Sequence, residues 1–456
     1  MDHTKVVSGV ARDLSKHDFP NDFSWGVSTS ATQIEGAHNK HGRGPSIWDT
    51  FSKKRKKIAN ADTPFVACDF YNRYQEDIDI LKNLGIKNFR ISFSWSRILP
   101  VGTGIVNHKG IEFYHRLIDA CHEAGLEVWV TLYHWDLPEA LQEKGGWKNR
   151  EMIEWFKEYV AVCINAFKAK IKNWMVLNEP MVFAGAGYFL GSHAPGKKGL
   201  SNFLPVIHNV VLCQAEAGRL IRKLQPDATI GTTYSCSYIT PYTNSKQDKE
   251  AVKRVDALLN RLFIEPALGL GYPMETLPLL KKLQKYILPG DDEKMVFDFD
   301  FIGIQNYTRE VVAYRFYIPY IKAKLIPASK RKVYHTSMNW EVYPESIYEM
   351  IKKFSHYKKV KQIIVTENGA AFHDQLSKGE VDDTERINYL AQYLNQVKRA
   401  AHENPKLKGY FIWSLMDNFE WAEGYHQRFG LVHVDFKTQK RTLKSSAWWL
   451  KKFLED

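Results

Sequence analysis

The stretch Ile171-Lys172-Asn173-Trp174-Met175-Val176-Leu177-Asn178-Glu179-Pro180 is mostly apolar and stops at a glutamate followed by a proline. A second stretch, Ile363-Ile364-Val365-Thr366-Glu367-Asn368-Gly369, has the same build and stops at a glycine. Short apolar runs bounded by Pro or Gly read as strands buried on both faces, the kind found in parallel sheets. A carboxylate at the C-terminal tip of such a strand gains nothing from the core and is costly to desolvate there. Two of them ask for a reason other than packing.

The rest of the chain repeats this rhythm. Strands are expected over 23–27, 87–93, 127–132, 174–177, 229–233, 301–305, 363–366 and 410–413. Between them lie amphipathic stretches of helical period at 71–84, 111–124, 151–167, 205–224, 346–354 and 385–403. Gly85, Gly125 and Gly409 fall just before strands, where the turn from helix to strand favours a positive φ. A chain of 456 residues is long enough for two or three average domains, or for one large barrel with inserted loops. Eight strands alternating with helices, and no Pro/Gly/Ser-rich linker, predict an α/β fold, a single (β/α)8 TIM barrel over 19–456 after an N-terminal arm of 1–18. The longer connections, 33–68, 178–204, 234–300 and 307–345, follow strands 1, 4, 5 and 6 and so decorate the face where a barrel keeps its active site. The alternating stretch 430–438 predicts a short hairpin after strand 8.

Composition is globular, with 44% apolar and 25% charged residues. Lys and Arg number 63 against 51 Asp and Glu, a net charge of +12 that raises nucleic acid or an anionic surface as a partner. The cations are scattered over helical stretches, however, and no nucleic-acid motif accompanies them. The one dense run, Lys53-Lys54-Arg55-Lys56-Lys57, reads as a solvated loop face. Cys68, Cys121, Cys163, Cys213 and Cys236 form no C-x-x-C pair and read as buried free thiols in a reducing compartment. Residues 1–20 are polar without an apolar core segment, and no run of 18 apolar residues occurs, so neither a signal peptide nor a membrane span is expected. A cytoplasmic location is the matching expectation. Oligomeric state is open, a homo-oligomer included.

The predicted strand ends carry more than the two glutamates. Strand 3 runs into Tyr133-His134-Trp135-Asp136, strand 6 into Asn306-Tyr307, and strand 8 into the segment from Trp413 to Trp421. Strand 1 is followed by Gln33-Ile34-Glu35-Gly36. Gln, His, Asn and Glu hydrogen-bond sugar hydroxyls, and Trp offers a flat apolar face to the C–H side of a pyranose ring. Each residue alone has a plainer reading: His134 as a satisfied structural histidine, a strand-end Trp as core, Glu420 as a salt-bridge partner. Their joint occurrence on one rim favours a sugar site. Two carboxylates brought together there would act as general acid and as nucleophile or base, the machinery of glycoside hydrolysis. Competing chemistries lack their signatures: no H-E-x-x-H, G-x-G-x-x-G, Walker A or G-x-S-x-G is present. No metal or organic cofactor is expected, since protons, a carboxylate and water suffice.

From about Phe19 to Phe453 the chain resembles family 1 glycoside hydrolases, the β-glucosidase group of the TIM-barrel clan. The resemblance rests on Phe23-Ser24-Trp25-Gly26, Gln33-Ile34-Glu35-Gly36, Tyr133-His134-Trp135-Asp136-Leu137-Pro138, Leu177-Asn178-Glu179-Pro180, Thr366-Glu367-Asn368-Gly369 and the run Trp413 to Phe436. It implies a retaining β-glucosidase that releases terminal non-reducing β-D-glucosyl residues from cello-oligosaccharides or aryl and alkyl β-glucosides. Glu179 is then the general acid/base and Glu367 the nucleophile, with carboxyl groups about 5–5.5 Å apart as retention requires. Tyr307 is expected to donate a hydrogen bond to Glu367, Arg90 to keep it ionised, and Asn178 to contact the substrate 2-hydroxyl. Gln33, His134, Glu420 and Trp421 fall in the glycone pocket, Phe429 joins the substrate-binding set, and Trp413 forms the platform beneath the sugar. Gln33 and Glu420 take the 4- and 6-hydroxyl side, where a carboxylate repels a 6-phosphate and so disfavours the phospho-β-glycosidase branch. Trp340 resembles the wall of the aglycone site. The loops do not choose between cellobiose, longer β-glucans, aryl glucosides and plant conjugates. At Thr442-Leu443-Lys444 the chain departs from the family, where a Pro commonly follows the Thr, with no catalytic effect expected. The alternatives are predominant β-galactosidase, β-fucosidase or transglycosylation activity and, from another class, a non-catalytic β-glycoside binder, which would lack one of the two glutamates.

Overall fold

Eight parallel strands close into a barrel in the computed structural model, which describes residues 9–456. They are β1 (Ser24–Ser28), β2 (Asn88–Ser92), β3 (Glu127–Tyr133), β4 (Asn173–Asn178), β5 (Thr229–Ser235), β6 (Phe301–Gln305), β7 (Ile363–Asn368) and β8 (Leu407–Trp413). Each matches an expected strand, with ends displaced by at most a few residues. Closure runs from Ser24↔Gly409 to Ser28↔Trp413, all in parallel register. The surrounding helices are α1 (Phe70–Asn83), α2 (His108–Glu123), α3 (Met152–Phe167), α4 (Leu200–Leu224), α5 (Lys246–Asp256), α6 (Glu345–Ser355), α7 (Thr384–Glu403) and α8 (Ser445–Glu455).

Three local expectations are corrected. Gly85 and Gly125 do turn helix into strand at φ +72° and +78°. Gly409 does not; it lies inside β8, where an added Cβ would stand 2.9 Å from the Ser24 carbonyl oxygen, so close strand approach explains it. Helix α4 begins at Leu200 rather than 205, and Pro205 sits inside it with one backbone hydrogen bond forgone. The hairpin after β8 pairs Val432–Val434 with Arg441–Leu443, so its second strand lies beyond the expected 430–438. The five cysteines are buried free thiols. Of the N-terminal arm, residues 1–8 lie outside the described residues, and Ala11 packs against Ile387 and Ala391 of α7 and Trp449 of α8. Of the basic run, Lys53 to Lys56 are exposed, while Lys57 is half-buried with its ammonium donating to the Gly191 carbonyl at 3.3 Å.

The barrel interior is layered. Trp129, Met175, Phe301, Ile364 and Phe411, from five strands, pack together as its floor. Strict alternation along the strands would carry that inward phase to Leu177 and leave Asn178 facing the helices. It would likewise turn Glu367 outward beyond Ile364. Each strand slips register just before those residues: Met175 pairs with Gly231 but Asn178 with Thr233, and Val365 pairs with Ile304 but Glu367 with Gln305. A bulge of this kind inserts a residue and re-aims the side chains beyond it. Both polar groups thereby join the inward face above the apolar floor. Outside the barrel, the connections after β5 and β6 are not irregular loops alone; Tyr238–Pro241, Arg309–Tyr314 and Ala323–Leu325 form a three-stranded sheet with Arg309–Tyr314 in the middle.

Candidate active site

Glu179 is the first residue past β4, held at φ +48° and ψ +64°, a left-handed conformation that residues with a Cβ rarely adopt. Its amide donates to the Thr233 carbonyl at 3.0 Å, and its own carbonyl accepts from the Val182 amide at 2.9 Å as the short helix Pro180–Ala184 begins. Strand becomes helix within one residue, and Pro180 suits the first helical position because its missing N–H would have no partner there. Trp135 (φ +77°) and Trp421 (φ +49°) are strained in the same way. Three such residues around one cavity mark a functional rim.

Beneath that rim one polar network joins five strands. Glu367 Oε1 accepts from the Arg90 guanidinium and from Gln305 Nε2 at 2.8 Å, and its Oε2 accepts from the Tyr307 hydroxyl at 2.6 Å. Asn178 Oδ1 accepts from Arg90 Nη2 at 2.6 Å, Gln305 Nε2 at 2.7 Å and Thr233 Oγ1 at 2.9 Å. Its Nδ2 donates to His134 Nε2 at 3.1 Å. An amide nitrogen can only donate, so His134 Nε2 accepts and the neutral ring carries its proton on Nδ1, which has no partner in the protein. Gln33 Nε2 reaches Asn418 Oδ1 and the Phe419 carbonyl at 3.0 Å each and Glu420 Oε2 at 3.4 Å. Glu35 of the same motif turns away to Arg97 and Tyr114 and serves the scaffold.

The two glutamates differ in their surroundings. Burial pushes both above the ordinary carboxylate range. For Glu367 the Arg90 charge and the Tyr307 hydroxyl oppose it. For Glu179 the Glu367 charge adds to burial and carries it well above that range, against weaker help from Ser235 and Arg90. Since neighbouring carboxyls resist ionising together, Glu367 is the readier of the two to ionise and Glu179 the one that holds its proton longer. Glu420 is raised to about 8 by burial and by Glu367. Burial and Arg90 hold His134 well below its usual value, so it is neutral.

Above the network opens a cavity of about 290 Å³. Of the residues singled out from the sequence, Glu179, Glu367, Tyr307, His134, Trp340, Trp413, Glu420, Trp421 and Phe429 line it. Arg90, Asn178 and Gln33 lie below as its hydrogen-bonded support. Trp340 stands 5.2 Å from the Tyr307 ring and 6.0 Å from Phe429, and Trp421 packs at 4.5 Å on Trp135. Gln305 was missed, although it binds both Glu367 and Asn178; its only signal is a polar residue closing the apolar run Phe301-Ile302-Gly303-Ile304. Trp135, His193, Ser235, Ser237, Met338 and Glu310 also line the cavity without having been singled out as site residues. Such a chamber, with a carboxylate, a carboxylic acid, hydroxyl-binding groups and flat aromatic walls, is equipped to cleave an acetal.

Known proteins agree with that chemistry. The sequence pattern of glycosyl hydrolase family 1 matches residues 15–456. Beta-glucosidase A of Acetivibrio thermocellus is 44% identical over 448 residues, 97% of this chain and 99% of that protein. The structure of a family 1 β-glucosidase from Thermotoga maritima superimposes with a TM-score of 0.92 at 41% identity, covering 97% of this chain and 99% of that one. A β-glucosidase from the same organism in complex with glucoimidazole gives 0.90 at 42% identity over 95% and 98% of the two chains.

Proposed function

Because the chain belongs to glycosyl hydrolase family 1, we infer that it is a retaining β-glucosidase and that Glu367 and Glu179 carry its double displacement. It hydrolyses β-glucosidic bonds of small sugar-like substrates through a covalent glycosyl-enzyme. A Glu367 oxygen attacks the anomeric carbon while Glu179 gives its proton to the glycosidic oxygen, and the aglycone leaves as an alcohol. The ester so formed has lost the Glu367 charge, which removes one cause of the raised Glu179 carboxyl. Glu179, now a carboxylate, takes a proton from water. The resulting hydroxide attacks the same carbon from the face the aglycone left, and Glu367 departs as carboxylate. Two inversions retain the β configuration.

The observation that carries the assignment of roles is the asymmetry of the pair: Arg90, Gln305 and Tyr307 all donate to Glu367, while burial and the Glu367 charge favour the proton on Glu179. On the same reading Asn178 Nδ2 meets the sugar 2-hydroxyl, and the orphan His134 Nδ1–H and the Gln33–Glu420 pair take further hydroxyls. Trp413 lies under the ring, Trp421 and Phe429 flank it, and Trp340 walls the leaving group. The working unit is the barrel over 19–456 with 1–18 as an arm. A cytoplasmic site of action is supported by five cysteines that stay free thiols. Among the described residues no helix is long and apolar enough to cross a membrane. Following 4-nitrophenyl β-glucoside hydrolysis by proton NMR tests the reading: β-glucose appears first and then mutarotates. First appearance of the α anomer would overturn retention, and a marked preference in kcat/KM for the β-galactoside would move the assignment to a β-galactosidase.

A further inference from the structure

Where the chain enters the strand Arg309–Tyr314, just beyond β6, alternate side chains part. Thr308 and Glu310 line the cavity, whereas Arg309 between them turns away to Glu341, with contacts of 2.8 and 2.9 Å. Met338 and Trp340 line the cavity from the same long connection after β6. The Glu310 carboxylate accepts no hydrogen bond and makes no ion pair among the described residues. The guanidinium that acts on it, Arg331, is itself committed to Glu341 at 2.7 Å. Burial, more than the added repulsion of Glu341, pushes Glu310 up to about 7. Glu310 belongs to the three-stranded sheet outside the barrel, whereas Glu179 and Glu367 stand at the ends of the barrel strands β4 and β7, which sets it apart from the catalytic pair. An unpaired carboxylate in a half-dry wall is costly to keep, and a ligand that brings a donor or a positive charge recovers the loss.

We propose that Glu310 is a charge filter for the leaving group, favouring aglycones that present an ammonium or hydroxyl donor and rejecting those that carry an anion. The proposal rests on the glucosidase reading, because a glucosyl group seated over Trp413 is what directs the leaving group to this wall. It gives the cavity a substrate class: amino-substituted or sugar aglycones rather than acidic aryl ones.

The test uses two substrates that differ in the far end of the aglycone, 4-(aminomethyl)phenyl and 4-carboxyphenyl β-glucoside, at pH 8 and low salt, where Glu310 is ionised. The ratio of their kcat/KM values is taken within one preparation, so it does not depend on the fraction of folded enzyme. Comparing that ratio between enzymes cancels the electronic difference between the two phenols. Glu310→Gln is expected to lower the ratio by about tenfold or more, the size of one lost charged contact. Glu310→Lys is expected to lower it further, and 1 M salt to compress the wild-type ratio. A ratio unchanged within twofold in both variants overturns the proposal. Failure of the wild type to hydrolyse the unsubstituted phenyl β-glucoside would instead strike the hydrolytic reading beneath it.

Discussion

Tyr307 shows what one hydroxyl does in this site. It donates at 2.6 Å to Glu367 Oε2 and helps keep that carboxyl ionised despite complete burial. A hydrogen bond to a charged group is worth roughly 1.5–3 kcal/mol, so Tyr307→Phe should lower kcat/KM by about 10- to 100-fold. The sign of the accompanying pH effect is fixed. Tyr307 lowers the Glu367 carboxyl, its removal raises it, and the acidic limb of the kcat/KM profile therefore moves to higher pH. An unshifted limb would mean that the hydroxyl acts on the substrate alone. Tyr307 was legible because it follows a strand end and matches a family motif. Gln305, two residues earlier, touches the same carboxylate and was not legible. A strand-final glutamine becomes a site residue only through its partners on β4 and β7, which one strand's sequence does not contain.

The two bulges explain why the strands could be read but their facing could not. Continuous apolar runs announced β4 and β7, yet period-two alternation sends Asn178 and Glu367 to the wrong side. The register slips at Met175/Asn178 and Val365/Glu367 correct this, and they depend on neighbouring strands. The sheet formed by Tyr238–Pro241, Arg309–Tyr314 and Ala323–Leu325 escaped notice for the same reason: its pairing joins connections far apart in sequence. Gly369 carries a related constraint, for a Cβ there would lie 1.8 Å from the Trp413 carbonyl oxygen. Gly369→Ala must part the ends of β7 and β8, moving Glu367 and Trp413 together. A loss of roughly 1–3 kcal/mol in a denaturant melt, with kcat/KM down by more than an order of magnitude, is expected. Gly85→Ala, strained only by its positive φ on the opposite face, should cost about 1 kcal/mol and leave kcat/KM unchanged. Equal kinetic losses in the two variants would refute this account of Gly369.

The whole molecule trades stability for these buried acids. Glu420 is raised from the ordinary 4.5 to about 8 by burial and by Glu367. Its contribution is fully present below pH 4.5, where folded and unfolded chains both hold the proton. It is lost as pH rises toward 8, because only the unfolded chain ionises, at no more than ~1.4 kcal/mol per pH unit. Asp291 acts oppositely: against burial, the hydrogen bonds from Arg150 and His208 bring it down to about 2, so its contribution is lost only as pH falls from about 4 toward 2. From these two groups stability should peak between about pH 4 and 4.5, and Glu420→Gln should raise Tm at pH 7.5 more than at pH 5 while glucoside hydrolysis falls. Equal Tm changes at the two pH values would count against this ionisation. The barrel itself was plain in the sequence because eight apolar runs recur with helices between them, whereas the cavity lining from Thr308, Glu310 and Met338 was not, because those residues come from connections without period. The most direct test of the central claim is to inactivate the enzyme with 2-deoxy-2-fluoro-β-glucosyl fluoride and map the label by peptide mass spectrometry. The account predicts one fluoroglucosyl group esterified to Glu367; a label on Glu179, or steady hydrolysis with no label at all, would contradict it.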